Sequence, residues 1–266
     1  MSELTAVPFA FPDSGRKLLL LGLGGGCDAI TAFALSGLFG RGADSVVYAN
    51  TKTADVGAVE PITEHLLRVS GPLLDPGRKV PHRGRTWIDH SVPRHPNGSP
   101  WIVLLSDEAA SALVGEIRSQ GFDLLVGVDT GGDSIARKNG RGHLGRDQRM
   151  LAVLRRVGLP LLHVVAAPGC DGETSYDDLR GVMADAAADG RYRGCFDLAP
   201  ILPAFQTFRG SLGPTRTPRI ILDAAEGALV SPRDGWVRVP RGREPVVPIS
   251  WLTTAFVFAP AVESMA

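Results

Sequence analysis

The sequence lacks a net charge, because 28 Lys and Arg residues balance 28 Asp and Glu residues over its 266 positions. A nucleic-acid-binding protein usually carries an excess of positive charge with which it neutralises phosphates. We therefore expect no nucleic-acid partner. Any recognition of a charged ligand must come from local clusters of side chains.

Cysteine is scarce, with only three residues, and none lies in a CxxC or Cys/His spacing typical of zinc sites. An odd number of scattered cysteines argues against a disulfide scaffold and predicts a reducing compartment. The first residues lack the basic and apolar regions of a signal peptide. The uncharged stretch 245–262 contains three prolines and is expected to be buried core, not a membrane span. These observations predict a cytoplasmic protein with no membrane partner.

Apolar runs alternate with amphipathic segments along much of the chain. Strands of this kind, rich in Val and Leu, are typical of a parallel sheet whose faces are both covered by helices. The sequence therefore predicts an α/β fold, a Rossmann-like three-layer sandwich with a mostly parallel sheet. The predicted strands are 17–23, 45–50, 101–105, 123–128 and 160–167, and the predicted helices are 29–39, 106–120, 145–157 and 175–188.

We expect residues 1–266 to form a single domain with two less regular regions. A Pro/Gly/Arg/His-rich stretch at about 71–100 is too long for an ordinary connection and predicts a loop or insert. The pattern also loosens from about residue 191. Beyond residue 191, the sequence predicts a helix at 199–208, a helix or a strand at 217–226, and short strands at 236–239 and 246–250.

Glycine and aspartate cluster directly after three of the predicted strands. The clusters are Gly24-Gly25-Gly26-Cys27-Asp28, Asp129-Thr130-Gly131-Gly132-Asp133 and Pro168-Gly169-Cys170-Asp171-Gly172-Glu173, and Asn50-Thr51-Lys52 ends a fourth strand. In open α/β sheets, ligands bind beyond the carboxyl ends of the strands where the strand order reverses. We therefore expect these turns to meet at one edge of the sheet.

Such an edge would combine anion-binding and cation-binding groups. Glycine turns and helix N-termini present backbone N–H groups to a phosphate, and Gly24–Gly26, Gly131 and Gly132 are the expected binding glycines. The carboxylates would repel a bare phosphate, however, so a divalent cation such as Mg²⁺ is expected between them. The expected metal ligands are Asp28, Asp129, Asp133 and Asp171.

Basic residues provide a second way to neutralise charge at this edge. Lys52 and a loop that contains Arg137, Lys138, Arg141 and Arg146 are the expected phosphate partners, and Asn50 is a further binding candidate. His143 lies in the same loop and is the best acid/base candidate among the histidines. The expected catalytic residues are Asp129, Asp133, Asp171, Glu173 and His143.

Several of these residues have ordinary structural alternatives. Asp28 could cap a helix, Asp133 and Asp171 could stabilise turns, and Glu173 could pair with a helix dipole. Asp147 could be either a first-turn acid or a further carboxylate of the edge. Cys27 and Cys170 are expected to pack as small residues more than to act as nucleophiles, and His163 is expected to be a core histidine.

The order of these motifs resembles the domain-of-unknown-function family 1152. The resemblance rests on GLGGGCD, GVDTGGDS, a GRD that opens a helix, APGCDGETS, and the later segments TPRIILDAA and PISWLTTAFVF, and it covers about residues 17 to 258. The sequence departs from that pattern at Cys27, where the family pattern has a glycine. The resemblance implies a Rossmann-like fold and no established activity.

Three functions remain open from the residues alone. The first is a divalent-metal-dependent enzyme that acts on a small phosphorylated or nucleotide-like metabolite by phosphoryl transfer or hydrolysis. The second is a nucleoside-type N-glycoside hydrolase, because DTGGD is similar to the DxDPGxDD segment of nucleoside hydrolases. The third is a nucleotide-binding or sensor protein without catalysis.

Overall fold

A computed structural model describes residues 7–12, 16–24, 26–52, 59–69, 81–82, 85–86, 100–135, 145–242 and 245–259. The strands in these ranges are β1 (Lys17–Gly22), β2 (Ser45–Lys52), β3 (Val59–Pro61), β4 (Leu66–Val69), β5 (Pro81–His82), β6 (Arg85–Thr86), β7 (Pro100–Leu104), β8 (Leu124–Thr130), β9 (Leu161–Ala166), β10 (Tyr192–Asp197), β11 (Trp236–Arg238), β12 (Val246–Pro248) and β13 (Thr254–Phe258). The α-helices are α1 (Cys27–Phe39), α2 (Ala109–Ser119), α3 (Arg146–Val157), α4 (Tyr176–Ala188), α5 (Leu202–Gln206), α6 (Thr217–Ala225) and α7 (Ile249–Leu252).

Nine strands form the main sheet, in the order β10-β13-β9-β8-β1-β2-β7-β4-β3. The five central strands from β9 to β7 are parallel, and antiparallel pairs extend the sheet at both edges. The chain runs outward from β1 through β2 to β7 and then returns to the other side of β1 with β8 and β9. The strand order therefore reverses between β1 and β8, which is where α/β sheets of this kind bind ligands.

The alternation of side chains along the central strands builds a core on each face of the sheet. On one face, Leu18 and Leu20 of β1 pack in a cluster with Ile30 of α1 and Ile220 of α6. On the other face, Leu19 and Leu21 lie in a cluster with residues of α2 and α3. A smaller cluster places Met183 and Ala186 of α4 with β9 and β13. Helices therefore cover both faces, which confirms the predicted α/β sandwich.

The capping signals in the sequence explain where several helices begin. The Ser106 hydroxyl accepts a hydrogen bond from the N–H of Ala109 at 3.0 Å before α2. The Ser175 hydroxyl accepts one from the N–H of Asp178 at 3.2 Å at the start of α4. At the end of α3, Gly158 adopts a left-handed conformation, which glycine reaches without steric cost.

The region after residue 191 is more regular than expected. β10 and β13 both belong to the main sheet, and the segment expected as a helix or a strand at 217–226 is the helix α6, Thr217–Ala225. The expected strand at 246–250 ends at Pro248, where α7 begins. The expected helix at 199–208 is a 3-10 turn at Ala199–Ile201 followed by α5. Of the stretch at 71–100, the structure describes only the β5–β6 pair and the first residue of β7.

None of the helices within the described ranges is long and apolar enough to cross a membrane.

Candidate functional site

The turns after β1, β8 and β9 meet beyond the carboxyl ends of these strands and bring five aspartates together. We call Asp28, Asp129, Asp133, Asp147 and Asp171 the carboxylate cluster. Asp28 and Asp147 are the second residues of α1 and α3, Asp129 and Asp133 flank the glycine turn after β8, and Asp171 follows β9.

The glycines of these turns leave room for the carboxylates. A Cβ atom on Gly24 would lie 2.6 Å from an oxygen of Asp28 and would overlap the carboxylate of Asp147. A Cβ atom on Gly131, which has φ +129°, would overlap the carboxyl group of Asp171. Glycine is required at both positions because side chains of the cluster occupy the space that a Cβ would fill.

Asp28 connects two turns and does not cap its own helix. Its Oδ2 accepts a hydrogen bond from the N–H of Gly24 at 2.8 Å, and its Oδ1 accepts one from the N–H of Thr130 at 2.9 Å. The N-cap of α1 is Gly26, and no side chain caps this helix. The interpretation of Asp28 as a helix cap is therefore wrong, and its carboxylate instead fixes the β1 turn against the β8 turn.

Asp129 is almost completely buried and holds the glycine turn that follows it. Its Oδ1 accepts a hydrogen bond from the N–H of Gly132 at 3.2 Å, and its Oδ2 accepts one from the N–H of Ser134 at 3.0 Å. The Ser134 hydroxyl also bonds to Asp129 and lies 2.8 Å from Nε2 of His163. Asp129 therefore has both a structural role and a position inside the cluster.

Asp133 and Asp147 complete the centre of the cluster with Asp129. Oxygens of these three side chains all lie within 4.8 Å of one another. Asp171 flanks them, and its Oδ1 accepts a hydrogen bond from the N–H of Glu173 at 2.9 Å. Three carboxylates at this separation match the oxygen ligands that Mg²⁺ and Ca²⁺ take in proteins.

Burial and mutual repulsion raise the pKa of four carboxyl groups in the cluster. Burial is the main cause in each case, and it raises the pKa of Asp171 to about 7 and that of Asp147 to about 9. The pKa values of Asp28 and Asp129 are also raised well above their ordinary value, with a further contribution from neighbouring carboxylates. The cluster therefore favours either bound protons or a bound cation.

Two helix N-termini lie close to each other where the β1 turn ends. α1 begins at Cys27, and α6 begins at Thr217, which lies beside the Cys27 thiol. Neither helix has a side-chain cap, but the first turn of α6 offers few donors, because Pro218 has no N–H and Thr217 lies in hydrogen-bond contact with the Cys27 thiol. The N–H groups at such helix ends attract anions, and Arg216 adds a positive charge close to Cys27.

The structure brings together most, but not all, of the site residues predicted from the sequence. Glu173 and Arg146 border the cluster beside Asp171 and Asp147, but both are exposed, and Glu173 pairs with Arg241 at 3.4 Å. Asn50 is buried in β2, paired in register with Gly22 of β1. Gly25, Arg137, Lys138, Arg141, His143 and the side chain of Lys52 lie outside the described residues.

The prediction from sequence left Asp147 open, as a first-turn acid or a further carboxylate of the edge, and did not include Ser134. Asp147 has the pattern of an ordinary first-turn acid, and only the GRD at the start of α3 marks it. Ser134 directly follows the DTGGD turn, and no spacing rule connects it to His163 in a strand 29 residues later. The position of His163 in the core is confirmed.

The two cysteines near the cluster have the properties of packed thiols. Burial raises the pKa of Cys27 and raises that of Cys170 further, and Asp171 adds to the effect at Cys170. A nucleophilic cysteine needs a lowered pKa instead. Both residues therefore agree with the packing role expected from the sequence.

A second group of possible ligands, Glu64, His65 and Glu116, lies beside the carboxyl end of β7, three strands away from β8 in the sheet. Glu116 of α2 accepts hydrogen bonds from the hydroxyl of Thr63 and from the N–H of His65, and its Oε1 lies 2.9 Å from Nδ1 of His65. These contacts attach the β3–β4 turn to α2. The group is thus explained by its own hydrogen bonds.

Comparison with known families matches residues 105–258 to a model described as a protein of unknown function (DUF1152). The match covers more than half of the chain and includes four of the five aspartates of the carboxylate cluster. No curated protein matches the chain.

Proposed function

Because the chain belongs to the DUF1152 family of proteins of unknown function, we propose its activity from its residues: a divalent-cation-dependent enzyme that acts on a small phosphorylated or nucleotide-like metabolite. The preferred reaction is phosphoryl transfer or hydrolysis. The observation that carries this proposal is the meeting of Asp129, Asp133 and Asp147 within 4.8 Å at the reversal of strand order.

The donor set fits a hard divalent cation. Carboxylate oxygens are preferred by Mg²⁺, Mn²⁺ and Ca²⁺ over softer metals, and Asp129, Asp133 and Asp147 would supply them. Asp28 and Asp171 would not bind the cation directly, but they would add negative charge next to its ligands. When bound, the cation would offset the repulsion between these groups and would stabilise negative charge on a phosphoryl oxygen.

The anion-binding part of the proposed site lies at the N-terminus of α1, to which Arg216 is close. The uncapped N–H groups of α1 would bind phosphate oxygens, whereas α6 adds few donors because Pro218 has no N–H and Thr217 contacts the Cys27 thiol. Arg216 would add a charge-assisted contact. A phosphate placed there would lie beside the β1 turn and therefore close to Asp28 and Asp147.

Asp171 is the best candidate for the proton-transfer group. Its pKa of about 7 lies near neutrality, mainly because of burial, and general bases work best when their pKa is close to the working pH. In hydrolysis, Asp171 would accept a proton from the attacking water as the new P–O bond forms and the bond to the leaving oxygen breaks. The leaving oxygen would take a proton from solvent.

The proposal is tested by phosphate release from a panel of nucleotides and sugar phosphates, with Mg²⁺, with Mn²⁺ and with a chelator. We expect release only with metal, and a decrease of at least about 100-fold in Asp129→Asn, a size typical for loss of a group that contacts the reacting charge. The matched control is Asp177→Asn, because Asp177 is an exposed aspartate on α4. Equal rates in Asp129→Asn and the control would rule out the proposed centre.

The same assay separates the alternatives. Release of a free base without phosphate would favour the N-glycoside hydrolase. Nucleotide binding that raises the melting temperature without any turnover would favour a binding or sensor protein, because a ligand stabilises the state to which it binds.

A further inference from the structure

A separate cavity lies between α3, α4 and the main sheet, on the far side of Ser134 from the carboxylate cluster. Its volume is about 140 Å³, similar to that of an apolar cavity that admits benzene in another protein. Met183 and Ala186 of α4 and Phe258 of β13 form apolar walls. The cavity therefore has room for a compact apolar group.

The rest of the lining is polar and carries positive charge. Arg155 of α3 and Arg191, which precedes β10, contribute guanidinium groups, and Ser134 and His163 contribute buried polar atoms. No carboxylate occurs among the described residues that line the cavity. Arg191 also forms an ion pair with the exposed Asp189 at 3.0 Å. A guanidinium group has five N–H donors, so Arg191 keeps others with which it can bind a ligand.

His163 does not add to this charge. Burial, followed by Arg155 and Arg191, lowers the pKa of His163 to about 3, so that its ring is neutral at physiological pH. The Ser134 hydroxyl lies 2.8 Å from its Nε2. The cavity thus combines two cations, a neutral polar end and apolar walls, which is the usual composition of a site for a small organic ligand.

We propose that this cavity binds a small organic anion, whose charged group contacts Arg155 and Arg191 and whose compact apolar body packs against Met183 and Phe258. The anionic group is a carboxylate or a phosphate, since planar guanidinium groups bind both. This site is distinct from the carboxylate cluster, which would repel an anion in the absence of a cation. Ser134 lies between the two sites, because it lines the cavity and its hydroxyl bonds to Asp129, and no aspartate of the cluster is among the described residues that line the cavity.

The test is calorimetric titration of the full chain with benzoate, phenyl phosphate and the neutral analogue benzamide, in a chelator. We expect benzoate or phenyl phosphate to bind at least about tenfold more tightly than benzamide, because a charge-assisted hydrogen bond is worth about that factor or more. The anion that binds more tightly shows whether the cavity prefers a carboxylate or a phosphate. Equal binding of the anions and benzamide, or no binding, would overturn the proposal.

Variants locate the site. Arg155→Gln and Arg191→Gln should each weaken anion binding about tenfold or more, whereas Arg156→Gln, which changes the exposed neighbour of Arg155, should leave it unchanged. Ala186→Leu should abolish binding because the larger side chain fills the cavity. Asp147→Asn should leave it unchanged. Binding that survives both Ala186→Leu and Arg155→Gln, or that is lost in Asp147→Asn, would place the anion elsewhere and refute the proposal.

Discussion

The carboxylate of Asp28 accepts a hydrogen bond from the backbone N–H of Thr130 at 2.9 Å, across a sequence separation of 102 residues. Its other oxygen binds the N–H of Gly24. One side chain therefore fixes the turn after β1 against the turn after β8, at the reversal of strand order. The carboxylate cluster is thus held by the packing of the sheet and its helices. The burial of its carboxyl groups and the repulsion between them must therefore affect the free energy of unfolding of the whole protein.

We expect the free energy of unfolding to fall as the pH rises from about 5 to about 9 when divalent cations are absent. Burial raises the pKa of Asp171 to about 7 and that of Asp147 to about 9, whereas both ionise near pH 4 when unfolded, at about the reference value. The native state therefore holds protons that the unfolded state has released. Stability is lost through this window, by about 3 kcal/mol from Asp171 and about 5 kcal/mol from Asp147 at roughly 1.4 kcal/mol per pH unit.

Urea unfolding at three pH values across this range, in a chelator, measures the effect. The contribution of Asp171 should be lost between about pH 4 and pH 7, and that of Asp147 between about pH 4 and pH 9. In Asp171→Asn, the free energy of unfolding should depend less on pH between about pH 4 and pH 7. In Asp147→Asn, it should depend less on pH up to about pH 9. A wild-type stability that is constant or rises with pH would contradict the prediction.

Asp147→Asn should have opposite effects with and without metal. In a chelator it removes a carboxyl group that must hold a proton to stay buried beside Asp28 and Asp133 at this pH, so the variant should be more stable than the wild type at about pH 8, by about 1–2 kcal/mol or more. In excess Mg²⁺ it lacks a proposed ligand, so the stabilisation by metal should decrease. For the wild type this stabilisation should reach about 2.7 kcal/mol at a concentration 100 times Kd.

Thermal unfolding of both proteins with a chelator and with a Mg²⁺ series checks this crossover. Asp177→Asn serves as the control, because its exposed carboxylate pairs only with Arg180 on α4 among the described residues, so any change in stability should be the same with the chelator and with Mg²⁺. If Mg²⁺ stabilises Asp147→Asn as much as the wild type, Asp147 is not a ligand.

Gly24→Ala adds only one methyl group, but we expect it to displace side chains of the carboxylate cluster. The added Cβ would overlap the carboxylate of Asp147 and would lie 2.6 Å from Asp28, so these side chains or the β1 turn must move. We expect a loss of about 1–3 kcal/mol, the usual cost of overpacking, together with weaker Mg²⁺ binding. Gly115→Ala is the matched control, since it lies within α2 and its Cβ would meet no atom within 4 Å.

The control should be stabilised by about 0.5–1 kcal/mol, because alanine is favoured over glycine in a helix. Denaturant midpoints and calorimetric Mg²⁺ titrations of the two variants provide the comparison. Similar behaviour of Gly24→Ala and Gly115→Ala would show that the space beside Gly24 is not occupied as described.

The central part of the fold could be predicted from sequence because its signals are local. Runs such as Leu18–Leu21 and Leu124–Val128 are continuously apolar, as buried parallel strands require, and Ser106 and Ser175 mark helix starts. The edge strand β10 could not be found in this way, because its sequence YRGCFD has no clear alternation and its side chains are mostly half-buried or exposed. β13 joins the sheet through long-range pairing with β9 and β10, which the local sequence does not encode.

The meeting of Asp28, Asp129, Asp133 and Asp171 was predictable because carboxyl ends of parallel strands share one edge. Asp147 was harder to assign, since an acid in the first turn of a helix has an ordinary explanation in its interaction with the helix dipole. Only the packing of α3 against the β1 turn brings its carboxylate beside Gly24. Side chains contributed by elements packed across a turn are therefore the ones that sequence patterns miss.

Ser134→Ala should destabilise the protein although it removes only one oxygen. The Ser134 hydroxyl bonds to the buried carboxylate of Asp129 and lies 2.8 Å from Nε2 of the buried His163. Its loss leaves both groups without this partner, at a cost of about 1–3 kcal/mol.

Ser119→Ala is the control, because the exposed Ser119 hydroxyl bonds only locally to the carbonyl of Glu116 and to Gln120, and it should cost at most about 0.5 kcal/mol. Urea unfolding of both variants at neutral pH makes the comparison, and equal stabilities would show that the hydroxyl does not connect Asp129 to His163.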